Sequence, residues 1–242
     1  MNLYETHCHT SPMSGCAKAG LRETLEFYAS VGYAGVFITN HFLDGNIDKS
    51  IRELPYHERI KRYFAVCEEG RAIGEEIGLD VFPGIEMTYK GTDFLVYGIG
   101  EEWCLAHEDM DKMKKSELLQ LLMDDGALVI QAHPFRESRS IDHIRLFPRH
   151  VHGVEVFNAG RPDFVNFLAD QYCKNYELIP FAGTDNHRGG NQTLFGGMAT
   201  ETPILDVRDF IERVLSHEAR PFIKDHEEIR FLENSWRKDG EE

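Results

Sequence analysis

Imidazole and carboxylate side chains, with one amide, follow short apolar runs at six places in this sequence. Polar side chains at the C-terminal ends of strands of one sheet converge on one face. Imidazoles and carboxylates, without a need for thiolates, bind zinc, manganese or iron. The pattern therefore predicts a metal centre. The residues concerned are His7 with His9, His41, Glu86, His133, Asn158, and Asp185 with His187.

The spacing of these residues supports the prediction. Alternate residues of a strand share a face, so His7 and His9 can reach the same ion. His133 is followed by a proline, which favours extended backbone and ends the strand there. Asp185 and His187 place a carboxylate and an imidazole two residues apart, at a further strand end. We therefore expect all five side chains to be ligands.

Glu86 is the only glutamate among the candidate ligands. Its two oxygens could bridge two cations, and ions about 3.5–4 Å apart can clamp both the attacking and the leaving oxygen of a displacement. His41 occupies the matching place after the second predicted strand, and we predict that it is a ligand too.

The elements that must position these residues alternate between strand-like and helix-like segments, which is typical of an α/β fold with a largely parallel sheet. The 242 residues fit one domain, since βα barrels often run to about 250 residues. We assign residues 1–232 to this domain and residues 233–242 to a polar, frayed tail. Further predicted helices cover 21–31, 55–77, 110–124, 164–176 and 207–215, and further predicted strands cover 93–100 and 198–202.

Composition narrows the class of protein. A net charge of −15 argues against binding of duplex nucleic acid. No apolar stretch approaches the roughly 20 residues that a membrane span needs. Five scattered cysteines fit reduced thiols, and cleavage of a signal peptide would remove His7 and His9. We therefore expect a cytoplasmic protein without a membrane partner.

At this point the ordered motifs resemble the polymerase and histidinol phosphatase (PHP) family. The resemblance implies a single-domain, distorted, TIM-like (β/α)7 barrel that hydrolyses phosphoesters with two or three divalent ions. It implies that His7, His9, Glu86 and Asp185 hold one ion, that Glu86 and His133 contribute to a second, and that His41 and His187 contribute to a third. The motifs are His7-x-His9, His41, Gly84-Ile85-Glu86, Ala132-His133-Pro134 and Gly183-Thr184-Asp185-x-His187.

Two positions depart from the pattern of that family. Ser14 stands where many members have an aspartate, and a serine is a poorer, neutral ligand. Asp93 stands where many members have a histidine after the glutamate. Asp93 could be a ligand or a solvated turn residue, and the sequence favours neither. Both departures concern the number and identity of the ions more than the reaction class.

The favoured chemistry is attack by a metal-bound hydroxide on a phosphomonoester or phosphodiester, with the ions neutralising the phosphoryl charge. His41, Asp185 and His187 would support the hydroxide. The substrate would be a small phosphorylated metabolite or a nucleotide. Arg136 is the first candidate for a phosphate-binding group. The other candidates for substrate binding are Arg161, Arg188 and Asn158.

Two other functions stay open. A metal-dependent amide or ester hydrolase would use similar ligands, often with a bridging lysine at a strand end. No lysine occupies such a position here, and Glu86 can fill that role. A metal-stabilised regulatory domain without catalysis is less favoured, because seven of the expected ligands are present.

Overall fold

The computed structural model describes residues 1–43, 45–139, 141–226 and 228–232. The predicted polar tail, 233–242, lies outside the described residues.

Strands and helices alternate through most of the chain. The strands are β1 (Asn2–Cys8), β2 (Gly35–Ile38), β3 (Asp80–Pro83), β4 (Ile85–Tyr89), β5 (Thr92–Tyr97), β6 (Leu128–Ala132), β7 (Gly153–Asn158), β8 (Ile179–Gly183), β9 (Leu194–Thr200), β10 (Arg220–Asp225) and β11 (Glu228–Phe231). The helices are α1 (Leu21–Ser30), α2 (Lys49–Arg52), α3 (Tyr56–Ile77), α4 (Glu101–Ala106), α5 (Lys115–Asp124), α6 (Asp163–Asn175) and α7 (Val207–Leu215), with a 3₁₀ turn at Gly189–Asn191.

The predicted helix over residues 110–124 begins later than expected, at Lys115. The preceding segment forms turns instead: the N–H of Met110 donates to His107 O, and the N–H of Lys112 donates to Asp109 O. Met110 is buried in the core, so the apolar residue that suggested an earlier helix start packs from a turn. The last predicted strand likewise spans Leu194–Thr200 rather than 198–202.

The strands form two sheets rather than one. The first has the order β11-β10-β9-β1-β2-β3, and the second has the order β4-β5-β6-β7-β8. Among the described strands, the parallel pairs are β1–β2, β2–β3, β6–β7 and β7–β8, and the other pairs are antiparallel. The expectation of a largely parallel sheet is therefore wrong. One cause is the two-residue turn Lys90-Gly91, whose φ values of 52° and 81° suit the tight hairpin that reverses β4 into β5.

Both edges of the five-stranded sheet meet the six-stranded sheet. At one edge only Gly84 separates β3 from β4, and the N–H of Glu86 donates to Asn40 O at 3.1 Å. At the other edge the N–H of Asp185 donates to His7 O at 2.8 Å. A mixed α/β fold is thus confirmed, whereas a single closed barrel is not detected among the described strands.

The core between the sheets is rich in aromatic rings. Phe210 of α7 lies against Phe37, Tyr97 and Phe181, with ring centroids 4.4, 5.7 and 6.2 Å away. Tyr97 lies at the opposite end of β5 from Asp93, so α7 packs away from the candidate ligands. Among the described helices, none has both the length and the apolar composition needed to cross a membrane.

Candidate metal centre

Glu86, near the start of β4, lies among four of the predicted histidine ligands. Its Oε1 is 3.1 Å from His7 Nε2 and 3.3 Å from His133 Nε2. Its Oε2 is 3.4 Å from His9 Nε2 and 2.5 Å from His41 Nδ1. Side chains that are far apart in the sequence therefore converge on one carboxylate, which supports the predicted bridging position of Glu86.

Three overlapping groups of donors lie close enough to hold an ion, with ligand atoms within 4.8 Å of one another in each group. His7 and His9 belong to the same group, as the strand period predicts, and their ring centroids are 5.2 Å apart. The groups are His7 with His9 and Asp185, His7 with Glu86 and His133, and His9 with His41 and His187.

Several buried donor atoms in this cluster lack the hydrogen bond that a buried polar atom normally makes. His9 Nε2, His41 Nδ1 and Glu86 Oε2 are buried and make no hydrogen bond of regular geometry among the described residues, although Glu86 Oε2 lies within ion-pair distance of both nitrogens. An unsatisfied buried polar atom costs about 1–3 kcal/mol. Divalent cations would satisfy all three atoms, and imidazole and carboxylate are suitable ligands for zinc, manganese or iron. The residues present therefore fit a metal centre.

The electrostatics of the cluster are strongly coupled. Burial, together with the imidazoles of His187 and His41, lowers the pKa of His9 to about 3. Burial also lowers the pKa of His41, but the charge of Glu86 outweighs it and raises the value to about 10. Burial raises the pKa of Glu86 and Asp185, yet the neighbouring histidines hold both carboxyls well below their usual range. Both carboxylates are thus ionised and available to a cation.

Two of the candidate ligands have uncommon backbone conformations. His133 has φ 25° and Asp185 has φ 58°, a region that L-residues with a Cβ rarely adopt. Such strain costs about 1–3 kcal/mol and persists where surrounding structure holds the residue in place. For Asp185 that support includes the hydrogen bond from its own N–H to His7 O.

Glu155, in β7, is a residue of the site that the sequence analysis missed. It is fully buried, and its Oε1 accepts a hydrogen bond from His7 Nδ1 at 2.9 Å. Its Oε2 accepts from the N–H of His133 and from Asn158 Nδ2. A carboxylate on one imidazole nitrogen leaves the other free for a metal. The signal in the sequence was a glutamate within the apolar run Val154–Phe157.

Ser14 orients a ligand. Its hydroxyl donates to Asn40 Oδ1 at 2.8 Å and accepts from the N–H of His41 at 3.0 Å. His9 Nδ1 lies 3.0 Å from the same oxygen. Since Ser14 uses its proton on Asn40, His9 donates from Nδ1 and keeps a lone pair on Nε2.

Asp93 is buried, with 5% of its surface exposed, so the solvated-turn alternative is wrong. Because β5 runs antiparallel to β6, Asp93 near its start lies opposite Ala132 at the end of β6. Its Oδ2 is 3.9 Å from His133 Nε2 and 3.7 Å from Arg136 Nη1. Asp93 thus borders the cluster without belonging to one of the three donor groups.

The four predicted substrate-binding residues divide into two pairs. Arg136 and Arg161 both line the cavity above the cluster, and Arg161 Nη2 donates to Asp185 Oδ2 at 2.6 Å. Asn158 is fully buried, and its amide donates to Glu155 and accepts from Gly160 N–H. The polar atoms of Asn158 thus already have protein partners, and its contact with substrate stays a prediction.

Arg188, the fourth predicted substrate-binding residue, lies at the surface. Its side chain is exposed, and the described residues that line the cavity do not include it. The N–H of Arg188 donates to Asn186 Oδ1 at 2.8 Å, which begins a turn into the 3₁₀ segment. His187, one residue earlier, lines the cavity.

The cavity has a volume of about 680 Å³ and opens directly onto the cluster. Two cations that the sequence analysis missed, Arg52 and Lys90, join Arg136 and Arg161 in its lining. Arg52 is the last residue of α2, and its Nη2 donates to Gly45 O at 2.7 Å. In a chain of net charge −15, this cavity gathers four cationic side chains.

No protein-family model matches this chain, and no curated protein matches its sequence. Solved structures do match its fold. One is a two-domain protein from Bacteroides vulgatus that contains a predicted PHP-like metal-dependent phosphoesterase. The TM-score is 0.66 at 14% identity, over 94% of this chain and 66% of that one. This chain thus covers slightly less than two thirds of that protein.

Two further structures resemble this chain. PsfC from Pseudomonas syringae gives a TM-score of 0.57 at 17% identity, over 87% of this chain and 88% of that one. An amidohydrolase from Chromobacterium violaceum, with bound sulfate and no metal, gives a TM-score of 0.50 at 13% identity, over 89% of this chain and 96% of that one. At these identities the likeness shows the fold alone.

Proposed function

We propose that this protein is a metal-dependent phosphoesterase of the PHP type, which hydrolyses a phosphomonoester or phosphodiester of a small metabolite or nucleotide. The observation that carries the proposal is the set of three overlapping donor groups, with Glu86 close to His7 and His41, beneath a cavity whose lining includes four cationic side chains. The printed description of the Bacteroides vulgatus neighbour and the PHP-like motifs support the same choice. As part of this proposal, the two sheets would together form the distorted barrel that is typical of that family, with the metal centre at the ends of its strands.

Two or three divalent ions, zinc, manganese or iron, would fit the donor groups. His7, His9 and Asp185 would hold one, Glu86 with His7 and His133 a second, and His41 with His9 and His187 a third. When bound, such ions polarise phosphoryl oxygens and lower the pKa of a water molecule.

The protein's own residues would bind and orient the phosphate and accept the proton. Arg136, with 30% of its side chain exposed, and Arg161 would bind phosphoryl oxygens that the ions leave uncovered, because guanidinium groups match phosphate geometry. His187 Nδ1 donates to Asp185 O at 2.9 Å, which would leave Nε2 free to accept a proton when two ions rather than three are bound. Arg52 and Lys90 would contact the more distant part of the substrate.

Purified protein would test the proposal after removal of metals with a chelator and reloading with manganese, zinc or iron(II). We expect hydrolysis of at least one member of a panel of sugar phosphates, nucleotides and phosphodiesters, dependent on added metal. His9→Gln should abolish the activity, because His9 belongs to two donor groups. Metal-dependent binding without turnover of any phosphate ester would contradict the proposal. The free cysteines are consistent with the predicted cytoplasmic location.

A second candidate function is hydrolysis of an amide or ester, and the amidohydrolase neighbour favours it. Both reactions would use the same donor groups, so the substrate panel must contain both classes. The cavity's cations favour phosphate: Arg136→Met should depress turnover of a phosphate ester while sparing a neutral amide. Activity confined to neutral esters or amides would establish the second function instead.

A further inference from the structure

The cavity above the donor groups, with its volume of about 680 Å³, has an unusually polar lining. The described residues in that lining carry charged, amide, hydroxyl, thiol or imidazole groups or are glycines, and they include no purely aliphatic side chain and no phenyl, phenol or indole ring. Ligand pockets are usually lined mostly by hydrophobic and aromatic side chains. The described lining therefore offers no apolar side chain to a hydrophobic part of a substrate.

The four cationic side chains of the cavity lie at two levels. At the inner level, beside the metal cluster, Arg136 Nη1 is 3.7 Å from Asp93 Oδ2 and Arg161 Nη2 is 2.6 Å from Asp185 Oδ2. At the outer level are Arg52 and Lys90, which also line the cavity. Neither of these two forms an ion pair with a carboxylate of the described residues.

Strand β4 and the loop after β2 separate the two levels. Glu86 and Thr88 share one face of β4, and Thr88 lies about 7 Å beyond Glu86 because a strand rises about 3.4 Å per residue. Lys90 lies farther along, in the hairpin turn after β4. A Cβ built on Gly45 would lie 3.1 Å from Thr88 Oγ1, and Arg52 Nη2 donates to Gly45 O. Arg52 is therefore held on the same side of the cavity as Thr88 and Lys90.

The outer level carries positive charge that the described part of the protein does not neutralise. The acidic residues of the described lining all belong to the inner level, where they lie among the candidate ligands: Glu86, Asp93 and Asp185. The chain as a whole has 41 acidic and 26 basic residues, so carboxylates are plentiful elsewhere. An anionic group of the substrate would supply the missing counter-charge.

We infer that the substrate is a polyhydroxylated, non-aromatic phosphate ester with a second acidic group, a phosphate or a carboxylate, which Arg52 and Lys90 bind. The inference rests on the proposed function and narrows its substrate class. Asn46 and Thr88 supply amide and hydroxyl groups in the lining for the hydroxyl groups of such a compound. A nucleotide fits less well, because nucleobases are usually bound by stacking on aromatic side chains, and the imidazoles of the described lining are candidate metal ligands.

The second acidic group takes no part in the bond changes. Water attacks the phosphorus at the inner level, the bond from phosphorus to the substrate oxygen breaks, and that oxygen takes up a proton. The products are inorganic phosphate and a polyol that keeps its other acidic group. Arg52 and Lys90 thus determine specificity through binding.

Steady-state kinetics of the full-length, manganese-loaded protein would test the inference with matched esters. Fructose bisphosphate would be compared with fructose monophosphate, phosphogluconate with glucose monophosphate, and adenosine bisphosphate with both sugar pairs. We expect kcat/KM to be at least about 10-fold higher for the doubly acidic member of one sugar pair, since a hydrogen bond to a charged group contributes an effect of this size. The pair that shows the preference identifies the second group as phosphate or carboxylate.

Variants at the outer level test the assignment to these two residues. Arg52→Met and Lys90→Met should each lower the preference about 10-fold, mainly through a higher KM, because the lost contact is made equally in the ground state and the transition state. Lys90→Arg should keep the preference, because it keeps the charge. Lys49→Met is the matched control: Lys49 lies in the same helix as Arg52, its side chain is 88% exposed, and it is 3.8 Å from Glu53. This variant should keep the preference of the wild type.

The outcomes separate the inference from the proposed function. Equal or higher kcat/KM for the monophosphates, or a higher value for adenosine bisphosphate than for every sugar ester, would overturn the inference and leave the phosphoesterase in place. A preference that survives in both methionine variants, with folding checked by circular dichroism, would overturn the role of Arg52 and Lys90. Hydrolysis of none of these esters with manganese, zinc or iron(II) would overturn the proposed function as well.

Discussion

The orientation of His7 depends on Glu155, which accepts a hydrogen bond from His7 Nδ1. Glu155→Gln keeps the shape but removes the negative charge that makes the imidazole a stronger ligand. Loss of such an orienting partner typically weakens metal binding by about 10–100-fold. We expect a decrease of this size in zinc affinity, measured by competition with a chromogenic chelator.

Glu102→Gln is the control for that change, because Glu102 is exposed in α4 and outside the donor groups. Its zinc affinity should match that of the wild type. Equal affinities for the wild type and Glu155→Gln would mean that the carboxylate only fills space beside His7.

Alanine variants of Arg136 and Arg188 would test which of the two arginines contributes to the proposed phosphate binding. Arg136 lines the cavity, whereas Arg188 is exposed outside it. A hydrogen bond to a charged group contributes about 1.5–3 kcal/mol, so Arg136→Ala should lower kcat/KM by roughly 10–100-fold. Arg188→Ala should leave kcat/KM unchanged. Steady-state kinetics on a phosphate ester would decide, and the reverse ranking would restore Arg188 as the phosphate ligand.

Protonation of His41 should make the stability of the metal-free protein depend on pH. Its pKa of about 10 in the folded state lies above the usual 6.5, so its contribution is complete below pH 6.5. That contribution is lost as the pH rises from 6.5 towards 10. The free energy of unfolding, measured in denaturant with chelator present, should therefore decline over this range.

His41→Gln should make that decline smaller, because the variant has no imidazole to deprotonate. At low pH the opposite effect applies to Glu86: its depressed pKa gives stability that is lost as the pH falls below its usual value. An identical pH dependence in the wild type and in His41→Gln would contradict the assigned role of this ion pair.

At the scale of the element, β8 must approach β1 and β7 closely. A Cβ built on Gly183 would lie 2.6 Å from both Glu155 Oε1 and His7 Cβ. Gly183→Ala should therefore displace the two side chains that form the orienting pair. Overpacking of this kind costs about 1–3 kcal/mol, and zinc affinity should fall together with stability. Thermal unfolding and chelator competition would measure the two effects.

Gly190→Ala is the matched control for the Gly183 variant. A Cβ on Gly190 would meet only Phe27, at an ordinary distance of 3.5 Å, and the residue is exposed. Its stability and zinc affinity should stay close to those of the wild type. If Gly183→Ala also had the stability and zinc affinity of the wild type, β8 would be able to shift without disturbing the candidate ligands.

The sequence predicted which side chains come together better than it predicted the arrangement of the strands that carry them. His7 and His9 follow from a strand period of two, and the positions of His133 and Asp185 follow from apolar runs that end in polar residues. The reversal of β4 into β5 was not foreseen, because it depends on positive φ at Lys90 and Gly91, and lysine gives little sign of that conformation.

Residues whose role depends on a distant partner could not be predicted from local patterns. In the sequence, Glu155 is an isolated charge in an apolar strand. Its role depends on the hydrogen bond with His7, which lies 148 positions away. Cys16 appeared to be an ordinary reduced thiol, and its place in the lining of the cavity arises only from the fold. Substrate contacts of Asn158 and Arg188 stay predictions: the amide of Asn158 has protein partners, and Arg188 is exposed.

At the scale of the whole molecule, the aromatic core and the ligand cluster occupy different places. Phe210 packs against rings from β2, β5 and β8, and replacing a buried phenylalanine by alanine costs about 3–5 kcal/mol. Phe210→Ala should lower the free energy of unfolding by this amount. While the variant remains folded, its zinc stoichiometry should be unchanged.

Phe164→Ala is the comparison, because Phe164 in α6 is 68% exposed. Its stability should lie within about 0.5 kcal/mol of the wild type. Loss of bound zinc from folded Phe210→Ala, determined by elemental analysis, would mean that the core shapes the metal centre directly.

His7 and Glu86 come from different sheets, one from the six-stranded and the other from the five-stranded. An ion shared between them would therefore link the two sheets, in addition to main-chain hydrogen bonds such as those from Glu86 to Asn40 and from Asp185 to His7. In a cell that is short of transition metals, the protein would lose the shared ion, and the junction between the two sheets would become more accessible to proteases. The rate at which the protein is degraded would therefore rise as the metal supply falls.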